Sequence, residues 1–135
     1  MRSLIDNTKR PEVILHRNSK IDIAANVAKT LNLKAGDVID IITNNIEYYI
    51  VVKYKANEVV GNHDCKVMRS NKHGNHLRCY SKKLCNKIFS ICNFELNGSY
   101  LYSDKVRLAC GLTTVISTHD RALPLIIKNP LNTNE

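Results

Sequence analysis

Seven cationic side chains crowd one stretch of this sequence. Lys66, Arg69, Lys72, Arg78, Lys82, Lys83 and Lys87, with His73 and His76 among them, lie between Cys65 and Phe94, a window without Asp or Glu. The window carries +7 of the chain's formal +8, so the remainder is close to neutral. Concentrated positive charge suits a polyanion better than diffuse charge does, because phosphate contacts release counterions collectively. A solvated basic face is the simpler alternative. Lys82 and Lys83 are the sharpest feature of the set. They fall in the first turn of a helix predicted to start after Ser81, where cations oppose the helix dipole at about 0.3–1 kcal/mol each. A phosphate at that end would reverse the sign, because backbone N–H groups and both ammonium groups would face it.

Two other constellations could do chemistry. His63, Cys65, His73, His76 and Cys79 carry donors that suit zinc, although their spacing is not that of a zinc finger. Cys79 falls on the apolar phase of a strand. Cys85 and Cys92 fall on the apolar face of a helix, where a thiol packs as a small hydrophobe. No metal or other cofactor is therefore expected, and zinc on those five residues is the alternative. Asp22, Asp37 and Asp40 form a loose carboxylate group, but a turn accounts for Asp37 and the solvent side of a strand for Asp40. His119-Asp120-Arg121 reads as a loop. The sequence has no Gly-rich phosphate loop and no nucleophile elbow, so no catalytic residue is assigned and the chain is not read as an enzyme.

The elements that would position the cations follow from hydrophobic periodicity. Ile21 and Ile23 alternate with polar neighbours as in a half-buried strand. Ala24, Val27, Ala28 and Leu31 occupy i, i+3, i+4 and i+7, one face of a short helix. Leu33-Lys-Ala-Gly36-Asp37 turns the chain, with Gly36 able to take positive φ. Val38, Ile39 and Ile41 open a second strand, Asn44-Asn45 marks a turn, and Glu47 to Tyr54 is an aromatic and β-branched strand. A connection from Lys55 to Asn62 includes a short strand at Glu58-Val-Val60, and a basic loop ends at Gly74-Asn75. The pattern then restarts. Leu77 and Cys79 alternate as Ile21 and Ile23 do, Ser81 is a good N-cap, and Leu84, Cys85, Ile88, Ile91 and Cys92 line one helical face. Asn97-Gly98 is a turn signal. Tyr100–Tyr102, Lys105–Cys110 and Thr113–Ser117 read as short strands. Pro124 and Pro130 disfavour helix in the tail. The whole is a degenerate strand-helix-strand-strand repeat, offset by about 56 residues.

The first copy resembles the AbrB-like (SpoVT/AbrB) family of bacterial DNA-binding proteins. The matching residues are Lys20, Ile21 to Ile23, Lys29-Thr30-Leu31, Leu33, Gly36-Asp37 and Ile39 to Ile41, within roughly residues 17–54. This chain has Ala24 where the family usually has Pro, and keeps one of two helical basic residues, Lys29 beside Ala28. The resemblance implies a mainly β fold with short helices, a small AbrB-like barrel. If the second copy completes it, the chain is a pseudo-dimer like the double-psi barrels. The alternative is one dimerising module with an unrelated C-terminal domain. The resemblance also places Lys20 and Lys29 among DNA-contacting residues, with Arg17 nearby, and implies transcriptional regulation.

Together these observations give an arm over residues 1–12 closed by Pro11, a half over 13–62, a divergent half over 63–122 and a tail over 123–135. The 135 residues suffice for a packed core, and 44% hydrophobic with 24% charged residues is ordinary for a globular chain. No run is long enough to span a membrane and no leader is expected, so irregularly placed cysteines point to a reducing cytoplasm. Abundant Asn, Lys and Ile point to an AT-rich source such as a mobile element. The expected function is double-stranded DNA binding, mainly to phosphate, by a bacterial or mobile-element regulator that is a monomeric pseudo-dimer or a homodimer. The expected contacts are Arg17, Lys20, Lys29, Arg69, Lys72, Arg78, Lys82, Lys83 and Lys87. The alternative is a protein-interaction or assembly module whose basic patch meets an acidic protein.

Overall fold

Alternating burial explains four of the strands. Along Glu12–His16 (β1) and Lys20–Ile23 (β2), Val13, Leu15, Ile21 and Ile23 are buried and their neighbours half-buried. Leu77–Tyr80 (β7) and Lys105–Cys110 (β8) alternate in the same way. The remaining strands are Val38–Thr43 (β3), Tyr48–Tyr54 (β4), Cys65–Lys66 (β5), Met68–Arg69 (β6) and Ala122–Leu131 (β9). Among the described residues two helices, Ala25–Thr30 (α1) and Lys82–Glu95 (α2), follow β2 and β7. The computed structural model describes residues 10–54, 65–69, 76–95, 103–112 and 122–131. The strands predicted at Glu58–Val60, Tyr100–Tyr102 and Thr113–Ser117 lie outside the described residues.

Among the described residues, the strands form one sheet in the order β5-β3-β4-β9-β8-β1-β2-β7-β6, with every pairing antiparallel. Its two edges are consecutive in sequence, separated by Val67 alone. β5 pairs with β3, while β6 pairs with β7. Gly36 N–H donates to the Val67 carbonyl at 2.7 Å, and Val67 N–H to the Asp37 carbonyl at 2.8 Å. The sheet therefore curls into a barrel-like form whose two edges are satisfied by one five-residue segment. At Val38–Ile39 and Leu77–Arg78 the segment covers backbone that an open sheet edge would expose.

One apolar cluster fills the interior. It takes Ile21 and Ile23 from β2, Leu77 and Cys79 from β7, Val106 and Leu108 from β8, Leu123 and Leu125 from β9, and both helices. α1 contributes Val27 and Ala28, and α2 contributes Cys85, Ile88, Phe89 and Cys92. Periodicity selects all of these helical positions except Phe89, and the selected Leu84 and Ile91 pack half-buried against the cluster. Ser81 caps α2, its Oγ accepting from Leu84 N–H at 3.1 Å. Gly36 takes φ 96° and Asn45 φ 75°, the positive values that their turns require.

The strand order has an internal regularity. Exchange β1, β2, β3 and β4 with the β5–β6 segment, β7, β8 and β9, and the sequence of neighbours around the sheet is unchanged. Both halves run strand, strand, helix, strand, strand, one strand more than the predicted repeat. β1 begins at Glu12, the last residue of the expected arm, and Ala122–Leu131, at the start of the expected tail, pairs with β4 and β8 as a sheet strand. Pro124 blocks helix there without blocking an extended chain, since its fixed φ suits extended backbone.

Asp37 is 2% exposed and its Oδ2 accepts from Lys34 N–H at 2.8 Å, which holds the turn that leads into the edge contact with Val67. Asp37→Ala leaves that N–H without its acceptor. It is expected to cost about 1–3 kcal/mol of unfolding free energy, read as a lower urea midpoint at unchanged m.

Candidate nucleic-acid interface

The candidate site is built around the β2–β7 pair. Lys20 stands opposite Tyr80, Ile21 opposite Cys79, Asp22 opposite Arg78 and Ile23 opposite Leu77. Because side chains alternate, the apolar members enter the core and the polar members share the outer face. At its centre Arg78 Nε donates to Asp22 Oδ1 at 2.7 Å, and His16 Nε2 lies 3.0 Å from Asp22 Oδ2. With the proton on Nε2, the neutral imidazole donates to the carboxylate.

Burial pushes the Asp22 carboxyl up, but hydrogen bonds and charge from Arg78 and His16 outweigh it and hold the group below the usual carboxylate range. Burial pulls His16 below 6.5, against the raising effect of its hydrogen bond to Asp22, with Lys20 and Lys105 adding repulsion. The Asp22 hydrogen bond raises Arg78, which stays charged.

The predicted cations divide by what they touch. Arg78 is tied to Asp22. The Arg17 guanidinium carbon sits 4.4 Å from the centre of the Phe89 ring, and its Nε donates to the Ser103 carbonyl at 2.8 Å. Arg17 thus fastens the β1–β2 turn to α2, a cation–π contact. The lysines are different. Among the described residues, none of Lys20, Lys29, Lys82, Lys83 or Lys87 is in an ion pair; the carboxylates of Asp22 and Glu12 pair instead with His16, Arg78 and Arg107. Lys82, Lys83 and Lys87 are exposed on α2, whose first turn has no acidic residue. Lys20 lies near that helix start, since Ser81 N–H donates to the Ser19 carbonyl at 2.9 Å and Cys85 Sγ lies 3.8 Å from the Lys20 carbonyl. β2 and α2 thus bring Lys20, Lys82 and Lys83 to one end of the β2–β7 pair. Lys29 and Arg69 lie at the other end, beside Leu77, and Lys72 lies outside the described residues.

Of the zinc alternative, His63 and His73 lie outside the described residues, as does the Cys65 side chain. His76 is half-buried and Cys79 is fully buried in the core cluster. Cys79, Cys85, Cys92 and Cys110 form no disulfide, and burial pushes the Cys110 thiol up to about 12, far from a reactive thiolate. Among the described residues no three His, Cys, Asp or Glu side chains gather as a metal set. Cys79 therefore packs as a core residue. Asp40 Oδ1 accepts from Ile41 N–H at 2.8 Å, a local strand contact.

Sequence reasoning missed two features. Lys34 joins Lys29 and Arg69 beside α1, and Arg107 forms a forked pair with Glu12, with Nη2 2.8 Å and Nε 3.2 Å from Oε2. Only the register of β1 against β8 brings the latter two together. Comparison with known proteins finds no matching family model, no matching curated protein and no matching solved structure. No helix of the described residues is long and apolar enough to cross a membrane.

The unfolded chain holds a proton more tightly than the folded one at both His16 and Asp22, so both act in one direction. Stability is expected to fall as pH drops below 6.5 through the His16 range, and again below 3.8 through the Asp22 range. Asp22→Asn should remove the second fall from urea midpoints measured against pH. A double-mutant cycle of D22N with R78Q should return a coupling of about 1 kcal/mol, given that both side chains are partly exposed.

Proposed function

We propose that this protein binds double-stranded DNA, mainly through phosphate contacts, as a bacterial or mobile-element transcriptional regulator. One observation carries the reading. Lys20, Lys82 and Lys83 gather around the start of α2 with Lys87 one turn further on, and none of the four is in an ion pair among the described residues. An ammonium group placed at a helix N-terminus costs stability unless an anion is present. Two such groups there, joined by the first-turn N–H groups other than that of Leu84, which Ser81 caps, make a phosphate-binding arrangement. Arg78 on β7 and Arg107 on β8 are each engaged with a protein carboxylate, so the lysines are the groups left to meet a polyanion. Point charges of this kind position a backbone rather than read bases.

The AbrB-like reading of the barrel is supported by the exchange symmetry of the strand order. Asp22 and Arg78, 56 positions apart, stand opposite one another at the middle of the β2–β7 pair. An offset of that size makes each the counterpart of the other, so the pair marks the pseudo-twofold of two tandem copies, whether arranged as an AbrB-like or a double-psi-like barrel. In a true homodimer an acid would face its own copy there. Arg78 in the second copy turns that repulsion into an ion pair and favours fusion within one chain.

The test is the affinity for random duplex DNA across a salt series. Binding should weaken steeply with salt. K82E/K83E should flatten the log–log slope by about 2, because each phosphate neutralised by a lysine adds roughly 0.9 to it. R78Q should change the slope far less. No binding at low salt would overturn the reading and leave the basic face to an acidic protein partner.

A further inference from the structure

Exchange symmetry pairs α1 with α2, yet their lengths are 6 and 14 residues. α2 is long enough to pack on β1, β2 and β9. α1 stops at Thr30, where Leu31 and Asn32, at φ 53°, turn the chain back and Leu33 N–H donates to the Ala28 carbonyl at 2.8 Å. Beside the short helix, against β6 and β7, stands a groove of about 490 Å³. Ala28, Leu33 and Leu77 are buried beneath it, and Lys29, Lys34 and Arg69 stand exposed around it. No acidic residue lines it among the described residues. The nearest carboxylate in sequence, Asp37, is buried and turned onto the Lys34 backbone N–H.

A phosphodiester backbone would use the three cations and leave the apolar floor idle. A free amphipathic anion uses both, and the volume lies within the roughly 300–1,000 Å³ of small-molecule sites. We propose that this groove binds a small organic anion, with its carboxylate, sulfonate or phosphate head on Lys29, Lys34 and Arg69 and its apolar body on Ala28, Leu33 and Leu77. The site goes beyond the DNA-binding reading, and its test uses no DNA, so failure of one leaves the other standing.

The probe is 8-anilinonaphthalene-1-sulfonate, a ring system carrying one sulfonate, titrated into the folded full chain at low ionic strength. Saturable fluorescence with one dye per chain is expected. K29E/K34E should weaken it by about tenfold or more, as two attractive charges become repulsive. Ala35→Trp, at an exposed lining position, should block the groove and abolish binding with the circular dichroism spectrum unchanged. K105E, on β8, should leave the affinity as it was. Absence of saturable binding, or equal affinity in the parent chain, K29E/K34E and Ala35→Trp, would overturn the proposal.

Discussion

The fold depends on how its sheet ends. Segment 65–69 pairs with β3 through its first two residues and with β7 through its last two, and Val67 between them bonds to the turn at Gly36 and Asp37. Without that segment, β3 and β7 would each present a row of unpaired backbone groups. With it the sheet can curl, and curling lets a single cluster draw on both helices and on strands from both halves of the chain. The buried carboxylate of Asp37 belongs to the same constraint, because it fixes the turn against which Val67 docks.

The outer face is organised by a different rule. Charged groups on neighbouring antiparallel strands find partners where register puts them opposite or diagonal. Asp22 takes both Arg78 and His16, and Glu12 accepts from both Nε and Nη2 of Arg107. This sorting separates the cations. These two arginines become part of the sheet, whereas Lys29, Lys82, Lys83 and Lys87, with long stems and compact, strongly hydrated heads, stand exposed. On the proposed DNA-binding reading, exposed lysines of this kind would hold a phosphate backbone rather than read bases.

The regularity of the strand order is not matched in every detail of the side chains and helices. At the centre of the β2–β7 pair, like residues would repel, and an acid faces a base instead. Away from that centre the helices differ in length, so one half is covered by α2 and the other keeps an open groove. Charge follows the same division, since the acid-free window from Cys65 to Phe94 supplies most of the excess.

Much of the local structure was legible in the residues. The alternation of Ile21 and Ile23, and of Leu77 and Cys79, fixes which side of a strand faces the core. Ser81 announces a helix start, and Gly36 and Asn45 supply the positive φ that their turns need. Hydrophobic period and backbone freedom are local properties, so sequence alone determines them. Sequence does not choose partners. That β1 lies between β2 and β8, that Ala122–Leu131 is a strand and not a tail, and that Arg17 stacks on Phe89 all follow from contacts between distant segments. The period of a strand gives its inner face but leaves its neighbour and register open. Only the curled sheet decided which cations are tied to carboxylates, because register sets which charges on neighbouring strands meet.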